Sequence, residues 1–278
     1  MKGISIIIPA NNEEGYIGEC LGHVLGSEDP GTQIQVLVVA NGCRDNTVGE
    51  AAAMRSDFET RGWVLDVLDL AKGQKVGALN SGDRAANFDA RIYLDADIHI
   101  SKSLMNALAR LLERPGPVFA GGRPRIRPAR SWISERYARF WERLPFMSEG
   151  VPGNGVFGVN AQARAKWEDF PEVIADDTFV RYQFEPHEMF GCEEPYSWPI
   201  TEGFANLVRV RRRQDEGLQE IRQLYPDLAA RMAPTAPTPG RKIKLLFQDP
   251  IGFVIYVSVA VAVRLPIFKS QSRWHRGR

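Results

Sequence analysis

The sequence predicts an α/β fold in which a mostly parallel sheet is flanked by helices, and three observations lead there. Short β-branched runs alternate with amphipathic stretches four times within the first 115 residues, the pattern of βαβ units. The connections are short, and each run ends in small or polar residues. Hydrophobic residues make up 44% of the 278-residue chain and charged residues 25%, which suits a sizeable core and excludes a mainly disordered, collagen-like or coiled-coil chain.

Residues 4–8, Ile4-Ser5-Ile6-Ile7-Ile8, read as a strand buried on both faces. Ile17, Cys20, Leu21, Val24 and Leu25 then recur at helical spacing and make one face of a helix. Residues 34–39 are the next strand, and Asn46 is placed to cap a helix running through Ala51, Ala52, Ala53 and Met54. A strand at 63–70, a helix at 75–86 and a strand at 91–94 follow. Leu104, Leu108, Leu111 and Leu112 mark the fourth helix. Beyond Pro115 the alternation loosens. Residues 118–120 and 156–159 read as strands and 132–143 as a helix, and Leu218, Ile221, Leu224, Tyr225 and Leu228 give a further helical stripe. Pro234, Pro237, Pro239 and Gly240 give residues 234–240 the composition of a linker.

Charge is balanced in total, with 35 Lys+Arg against 34 Asp+Glu, but not in distribution. Residues 241–278 carry eight basic residues against Asp249 alone, a net of +7, which leaves −6 for residues 1–240. A mildly acidic body is not that of a general nucleic-acid binder, which spreads basic charge over a folded face. The basic tail points instead to an anionic surface such as lipid headgroups. Within it, residues 251–263 form a 13-residue run without charge. A spanning helix needs about 20 residues, so a buried helix, a re-entrant segment and an interfacial helix all stay open. The apolar stretch at residues 4–8 is too short for a signal-peptide core. Cys20, Cys43 and Cys192, without any C-x-x-C, fit neither a zinc site nor a disulfide framework and suit a reducing compartment.

The polar residues cluster where a parallel sheet binds ligands, outside the carboxyl ends of its strands. These clusters are Pro9 to Glu14, Ala40-Asn41-Gly42, Ala71-Lys72-Gly73 and Asp95-Ala96-Asp97. The first turn has no G-x-G-x-x-G, and the chain has no P-loop. In their place, two carboxylates close an apolar strand, and such a pair repels itself unless a cation is near. Magnesium or manganese, bound by one or two carboxylates and by substrate phosphates, resolves that repulsion.

Taken together, these segments resemble family 2 glycosyltransferases of the GT-A fold. The opening strand and loop, Ser5 to Glu14, resemble that family's first motif. So do the second loop from Val38 to Thr47, the segment from Lys72 to Gly82, and Tyr93-Leu94-Asp95-Ala96-Asp97. Gly153-Asn154-Gly155, Asp176-Asp177 and the run from Arg209 to Gln214 follow in the family's order, so the resemblance covers roughly residues 4–217. It implies an inverting transferase that moves a sugar from a nucleotide-sugar donor to an acceptor hydroxyl, with a membrane lipid or a cell-envelope glycan as the expected acceptor.

Residue roles carry over by position. Pro9, Asn11 and Glu13, with Asn41, would hold the base and ribose, although the family usually has Asp where Asn41 stands. Lys72 and Gly73 belong to the donor-binding segment. Asp95 would contact the ribose or assist the metal, and Asp97 would ligate the manganese or magnesium that bridges the diphosphate. Asp177 is the expected general base and Asp176 its alternative. Arg213 matches the family's phosphate-binding Arg, but its surroundings do not match Q-x-x-R-W, which points away from processive polymer synthesis. The implied organisation is a catalytic unit at 1–233, with a nucleotide-binding half (1–115) and an acceptor-side half (116–233), then the linker and the tail. The implied location is cytoplasmic, peripheral on the inner face of the cell membrane, with no nucleic-acid partner.

Several residues keep two readings. His99 is either a further metal ligand or structural. Arg123, Arg125 and Arg127 alternate at strand spacing and face either an anionic acceptor or solvent at a sheet edge. Trp132, Trp141, Trp167 and Trp198 either stack on sugars or fill the core. Two other functions stay open as well. A sugar nucleotidyltransferase would place a Gly-rich G-x-G-T-R-like loop where Pro9-Ala10-Asn11-Asn12 stands. A non-catalytic membrane-associated scaffold would be expected to have lost Asp97 or the Asp176-Asp177 pair, and both are present.

Overall fold

Ile4, Ile6, Ile7 and Ile8 are all fully buried, so the first strand, β1 (Gly3–Ala10), is covered on both faces. The computed structural model describes residues 1–148, 150–230 and 238–268. β1 leads into α1 (Ile17–Leu25) and β2 (Gln33–Asn41), then into two short helices, α2 (Thr47–Ala53) and α3 (Arg55–Thr60). β3 (Val64–Leu70), α4 (Lys75–Ala85) and β4 (Ala90–Leu94) complete the alternating part. Then come β5 (His99–Ile100), α5 (Leu104–Leu112), β6 (Phe119–Ile126), α6 (Trp132–Trp141), α7 (Pro145–Ser148) and β7 (Val156–Val159). The rest is α8 (Ala161–Arg164), α9 (Asp176–Arg181), β8 (Met189–Trp198), α10 (Phe204–Leu224), α11 (Pro226–Ala230), α12 (Pro239–Gln248) and α13 (Pro250–Arg264).

One eight-stranded sheet runs in the order β3-β2-β1-β4-β7-β6-β8-β5. The first four strands are parallel neighbours. β7 then joins β4 antiparallel, and β6 and β8 pair parallel. The chain moves outward from β1 through β2 to β3, then returns to lay β4 on the other side of β1. That reversal leaves a crevice at the carboxyl ends of β1 and β4, where open α/β sheets bind ligands. Alternate residues of the central strands feed two cores. Ile6 and Ile8 pack with Val24 and Leu108 on one face, and Ile7 packs with Leu79, Tyr93 and Phe157 on the other.

Four local expectations change in the folded chain. Helix α2 starts after Asn46 as expected, but the Asn46 side chain does not cap it; Asp45 Oδ1 instead accepts from the Thr47 backbone N–H and hydroxyl. The Leu218-to-Leu228 stripe spans two helices, because Tyr225 leaves helical geometry before Pro226. β6 pairs with β7 only at Phe119 and Ala120, while its arginine half pairs with β8 alone; Arg125 there is exposed, but the three arginines do not share one environment. Arg123 pairs with Glu193 at 2.7 Å, while Arg127 donates to the Asp97 carbonyl at 2.7 Å. Of the linker, residues 234–237 lie outside the described residues, and Pro239 and Gly240 already belong to α12. Trp167 is core, Trp141 and Trp198 pack on one another, and Trp132 is exposed.

The apolar run of the tail is neither wholly core nor wholly surface. Val259 and Ala262 of α13 pack with Tyr137, Leu207 and Val208 from α6 and α10. Arg212 reaches from α10 to the end of α13 and donates to the carbonyls of Ala262, Val263, Leu265, Ile267 and Phe268. Arg211 donates to the Tyr256 hydroxyl at 3.0 Å and pairs with Asp215. Two of the four arginines in the basic run are thus spent on holding α13.

Candidate active site

The crevice between β1 and β4 is closed by loops that bind one another before they bind anything else. Asn11 donates to the Asn41 carbonyl. The Arg44 N–H donates to Asn12 Oδ1 at 2.7 Å, and the Glu13 N–H to Thr47 Oγ1 at 2.7 Å. Asn41 is buried, and both ends of its amide are engaged. Its nitrogen donates to the Ala10 carbonyl at 2.8 Å, and its oxygen accepts from the Gln74 N–H at 3.0 Å. A single side chain therefore ties the ends of β1 and β2 to the start of α4. Gly42, at φ +60°, comes so close to Gly73 that a Cβ would lie 2.5 Å from its nitrogen, which explains why the second and third loops meet through glycine. Lys72 beside it is exposed.

Asp95 and Asp97 sit in the turn between β4 and β5. The Asp95 N–H donates to the Gly155 carbonyl at 2.8 Å, which docks the turn on the Gly153-Asn154-Gly155 loop. Tyr196 fixes that loop from below by donating to the Asn154 carbonyl at 2.7 Å. The acidic pair arrives from the far side, on the first turn of α9. A cleft between these parts is lined by Pro9, Lys75, Asp95, Gly153, Asp176 and Asp177. Asn11, Glu13, Asn41, Lys72 and Gly73 form the loops next to it. Arg213 stands on α10, one turn before Gly217, where the helix packs against Ala175. Arg213 does not line the cleft.

Lys75, the first residue of α4, joins the two acidic groups. Its ammonium lies 3.0 Å from Asp95 Oδ1 and 3.2 Å from Asp176 Oδ2. Burial alone would lower its pKa, but Asp176, Asp95 and Asp177 hold it well above the usual lysine range. Sequence reading missed Lys75. Its signal was its position, two residues past Gly73 at a strand's carboxyl end, where the start of a helix faces the crevice.

Asp177 has a different environment. Burial first, then the neighbouring Asp176 carboxylate, pushes its pKa up to about 6, against the lowering effect of Lys75. Oδ1 accepts from the Thr178 N–H at 2.6 Å. With the Asn154 amide turned so that its nitrogen faces the carboxylate, Asn154 donates to Asp177 Oδ2 at 3.0 Å. Asn154 is a second residue that motif order alone did not mark for this role. Two carboxylates in sequence are thus separated electrostatically: Asp176 is buried against a lysine, while Asp177 is held by neutral donors and poised to titrate.

Among the described residues, no three His, Cys, Asp or Glu side chains gather as a ready cation cage. Asp95 lines the cleft and Asp97 does not; the two are the carboxylates that would meet an ion which completes its shell from substrate phosphates and water, as magnesium and manganese do. The Asp95 side chain is 39% exposed, open to such a ligand. His99 does not join them. It stacks on His23 with ring centroids 4.4 Å apart and lies 3.2 Å from Glu19. Burial, then Arg127 and His23, lowers its pKa.

Residues 5–179 match the sequence profile of the family described as Glycosyl transferase family 2. Among solved structures, the chain is similar to a mannosyltransferase from Pyrobaculum calidifontis in complex with GDP-Man and Mn2+. The TM-score is 0.59 at 18% identity, covering 94% of this chain and 74% of that one. It is also similar to TarS 1-349 from S. aureus in complex with UDP-GlcNAc, with a TM-score of 0.56 at 16% identity, covering 95% of this chain and 82% of that one. At such identities these likenesses bear on the fold, which is GT-A. No curated protein matches the chain.

Proposed function

This chain belongs to glycosyl transferase family 2 and is a glycosyltransferase, and from that premise we propose a metal-dependent, inverting transfer from a nucleotide-sugar donor to an acceptor hydroxyl. The observation that carries the reading is the Lys75 bridge, which brings the acidic strand end and the acidic pair into one cleft. Donor chemistry belongs to the β1–β4 side. There the loops of Pro9, Asn11, Glu13, Asn41, Lys72 and Gly73 receive the nucleoside, while Arg213 on α10 stands outside this cleft. Asp95 and Asp97 would hold manganese or magnesium, which when bound supplies charge neutralisation at the departing diphosphate. Lys75 adds a fixed positive charge beside Asp95.

Acceptor chemistry belongs to Asp177. A carboxylate whose pKa stands near 6 is a better proton acceptor than an ordinary one and is still ionised at neutral pH. Asn154 and the Thr178 N–H fix its two oxygens, so that one orientation faces the cleft. Asp176 is the weaker candidate because its Oδ2 is paired with Lys75. In a single displacement the base deprotonates the hydroxyl as it attacks opposite the leaving diphosphate, and the anomeric configuration inverts. The basic, apolar tail supports an acceptor on a membrane lipid or envelope glycan and a peripheral site of action on the inner face of the membrane.

The test is thermal shift with a panel of nucleoside diphosphates, with and without Mn2+. Ligand bound to the folded chain stabilises by RT ln(1 + [L]/Kd). One base should stabilise more with Mn2+ than without, and Asp97→Asn should abolish that difference while leaving the fold intact. Full transfer activity and an unchanged metal response in Asp97→Asn would remove the metal assignment.

A further inference from the structure

Among the described residues, most of the large apolar side chains that stay exposed lie on α12, on α13 and just past its end. Phe247, Ile251, Val254, Val257, Val261 and Leu265 are between 39% and 81% exposed. From Ile251 to Leu265 they recur every three or four residues, and so make one stripe along α13 and past its end. The opposite face, with Gly252, Val259 and Ala262, is buried against the body. Single exposed apolar residues are ordinary, but a continuous stripe marks an interaction surface.

Charge decides what covers it. Asp249 is the only acidic residue after residue 238. It is buried, caps α13 through the Gly252 N–H and lies 3.5 Å from Arg143. It therefore puts no negative charge on the outward surface, where Lys244 and Arg264 are exposed. The sequence beyond adds Lys269, Arg273, Arg276 and Arg278. Apolar residues flanked only by basic ones complement an anionic bilayer, whereas self-pairing of this face would bring like charges together. At 15 residues α13 is about 22 Å long by the rise of an α-helix, short of a bilayer's hydrocarbon core. No helix among the described residues is long and apolar enough to cross a membrane.

We infer that α13 docks flat on an anionic lipid surface through its outward stripe while its inward face remains part of the protein core. The inference deepens the membrane-acceptor reading above and rests on it for its biological meaning. The element also has a route to the chemistry. α10 holds α13 through Arg211 and Arg212, and packs Gly217 against Ala175, next to Asp176.

The test uses the full chain and vesicles that contain no acceptor, made of phosphatidylglycerol and phosphatidylcholine in equal parts or of phosphatidylcholine alone. Flotation at low salt should show binding at least tenfold tighter to the anionic vesicles. Raising the salt should weaken it without abolishing it, because screening acts on charge and not on apolar insertion. Val254→Glu with Val261→Glu should lose at least tenfold in vesicle binding, with melting temperature and nucleotide-induced shift unchanged. Lys244→Glu with Arg264→Glu should weaken binding at low salt only. Wild-type protein that ignores anionic vesicles, or a Val254→Glu/Val261→Glu variant that binds like wild type, would overturn the inference. So would a dimer in sedimentation that this double variant dissociates. Docking without transfer to a lipid-linked hydroxyl would retire the acceptor reading alone. Transfer to a detergent-dispersed lipid acceptor without docking would retire the docking face alone.

Discussion

At the scale of single residues, two neighbouring carboxylates stand in different surroundings, and the roles proposed for them follow from that. Asp176 is neutralised by Lys75 at 3.2 Å, and Asp177 is raised to about 6 by burial and by Asp176. Asp177→Asn removes the proposed proton acceptor and leaves the proposed donor side untouched. Its nucleotide-induced thermal shift should persist while kcat falls by roughly 10²–10⁴, the usual worth of base catalysis. If Asp176→Asn is the severe variant instead, the roles are exchanged. The raised pKa also fixes a pH dependence. Below about 6 the proposed base is protonated, so kcat should fall tenfold per pH unit, and Asp177→Asn should lack that limb. The sign for stability is the opposite. With its folded pKa above the unfolded value, the folded chain holds more protons between about pH 4 and 6, so this group's contribution to stability declines as pH rises through that window. Asp177→Asn should therefore melt no lower than wild type at pH 7, which a pair of melting curves checks.

At the scale of elements, the alternating half was legible because strand and helix periods differ, and because each strand end is punctuated by Asn, Gly, Lys or Asp. Asp95 and Asp97 could be named for the same reason, as two carboxylates that close an apolar strand, whereas Asp176 and Asp177 could be named only through the resemblance to the family's acidic pair. Lys75 and Asn154 could not, since their meaning lies in partners far away in sequence. The extent of α10 was hidden in the same way. Its first half is rich in arginine, and only Leu207 and Val208 there mark the buried face. The Arg209-to-Arg213 run looks like a phosphate site or a solvated face, yet Arg212 spends itself on the backbone of α13 some 50 residues on. Arg212→Ala would leave those helix-end carbonyls without their charged donor. Hydrogen bonds to charged groups contribute about 1.5–3 kcal/mol, so at about 2–4 °C per kcal/mol for a large domain the melting temperature should drop by roughly 3–12 °C. An unchanged melting temperature would mean that water replaces the guanidinium at no cost.

At the scale of the whole molecule, the tail raises the question of where the folded body ends. Composition places the boundary at residues 234–240, and on that reading a chain ending near Gly240 stays folded and merely loses its membrane affinity. The packing predicts otherwise. Val259 and Ala262 fill a cluster with Tyr137, Leu207 and Val208, and Leu245 packs with Phe140 and Leu144. Phe140 and Val208 are essentially inaccessible to solvent. Removing α12 and α13 would open both clusters to water at once. It would also leave Arg211 without Tyr256 and Arg212 without five carbonyls. Exposed apolar area of this kind favours aggregation. A chain ending at Gly240 should therefore express as insoluble material or melt well below the full chain. Val254→Glu with Val261→Glu, which alters only the outward stripe, should stay soluble and melt with the wild type. Equal melting temperatures for the truncated and full chains would show that the tail's inner face contributes nothing to the fold. The two constellations, one facing the protein and one facing out, would then have to be reconsidered as a single surface.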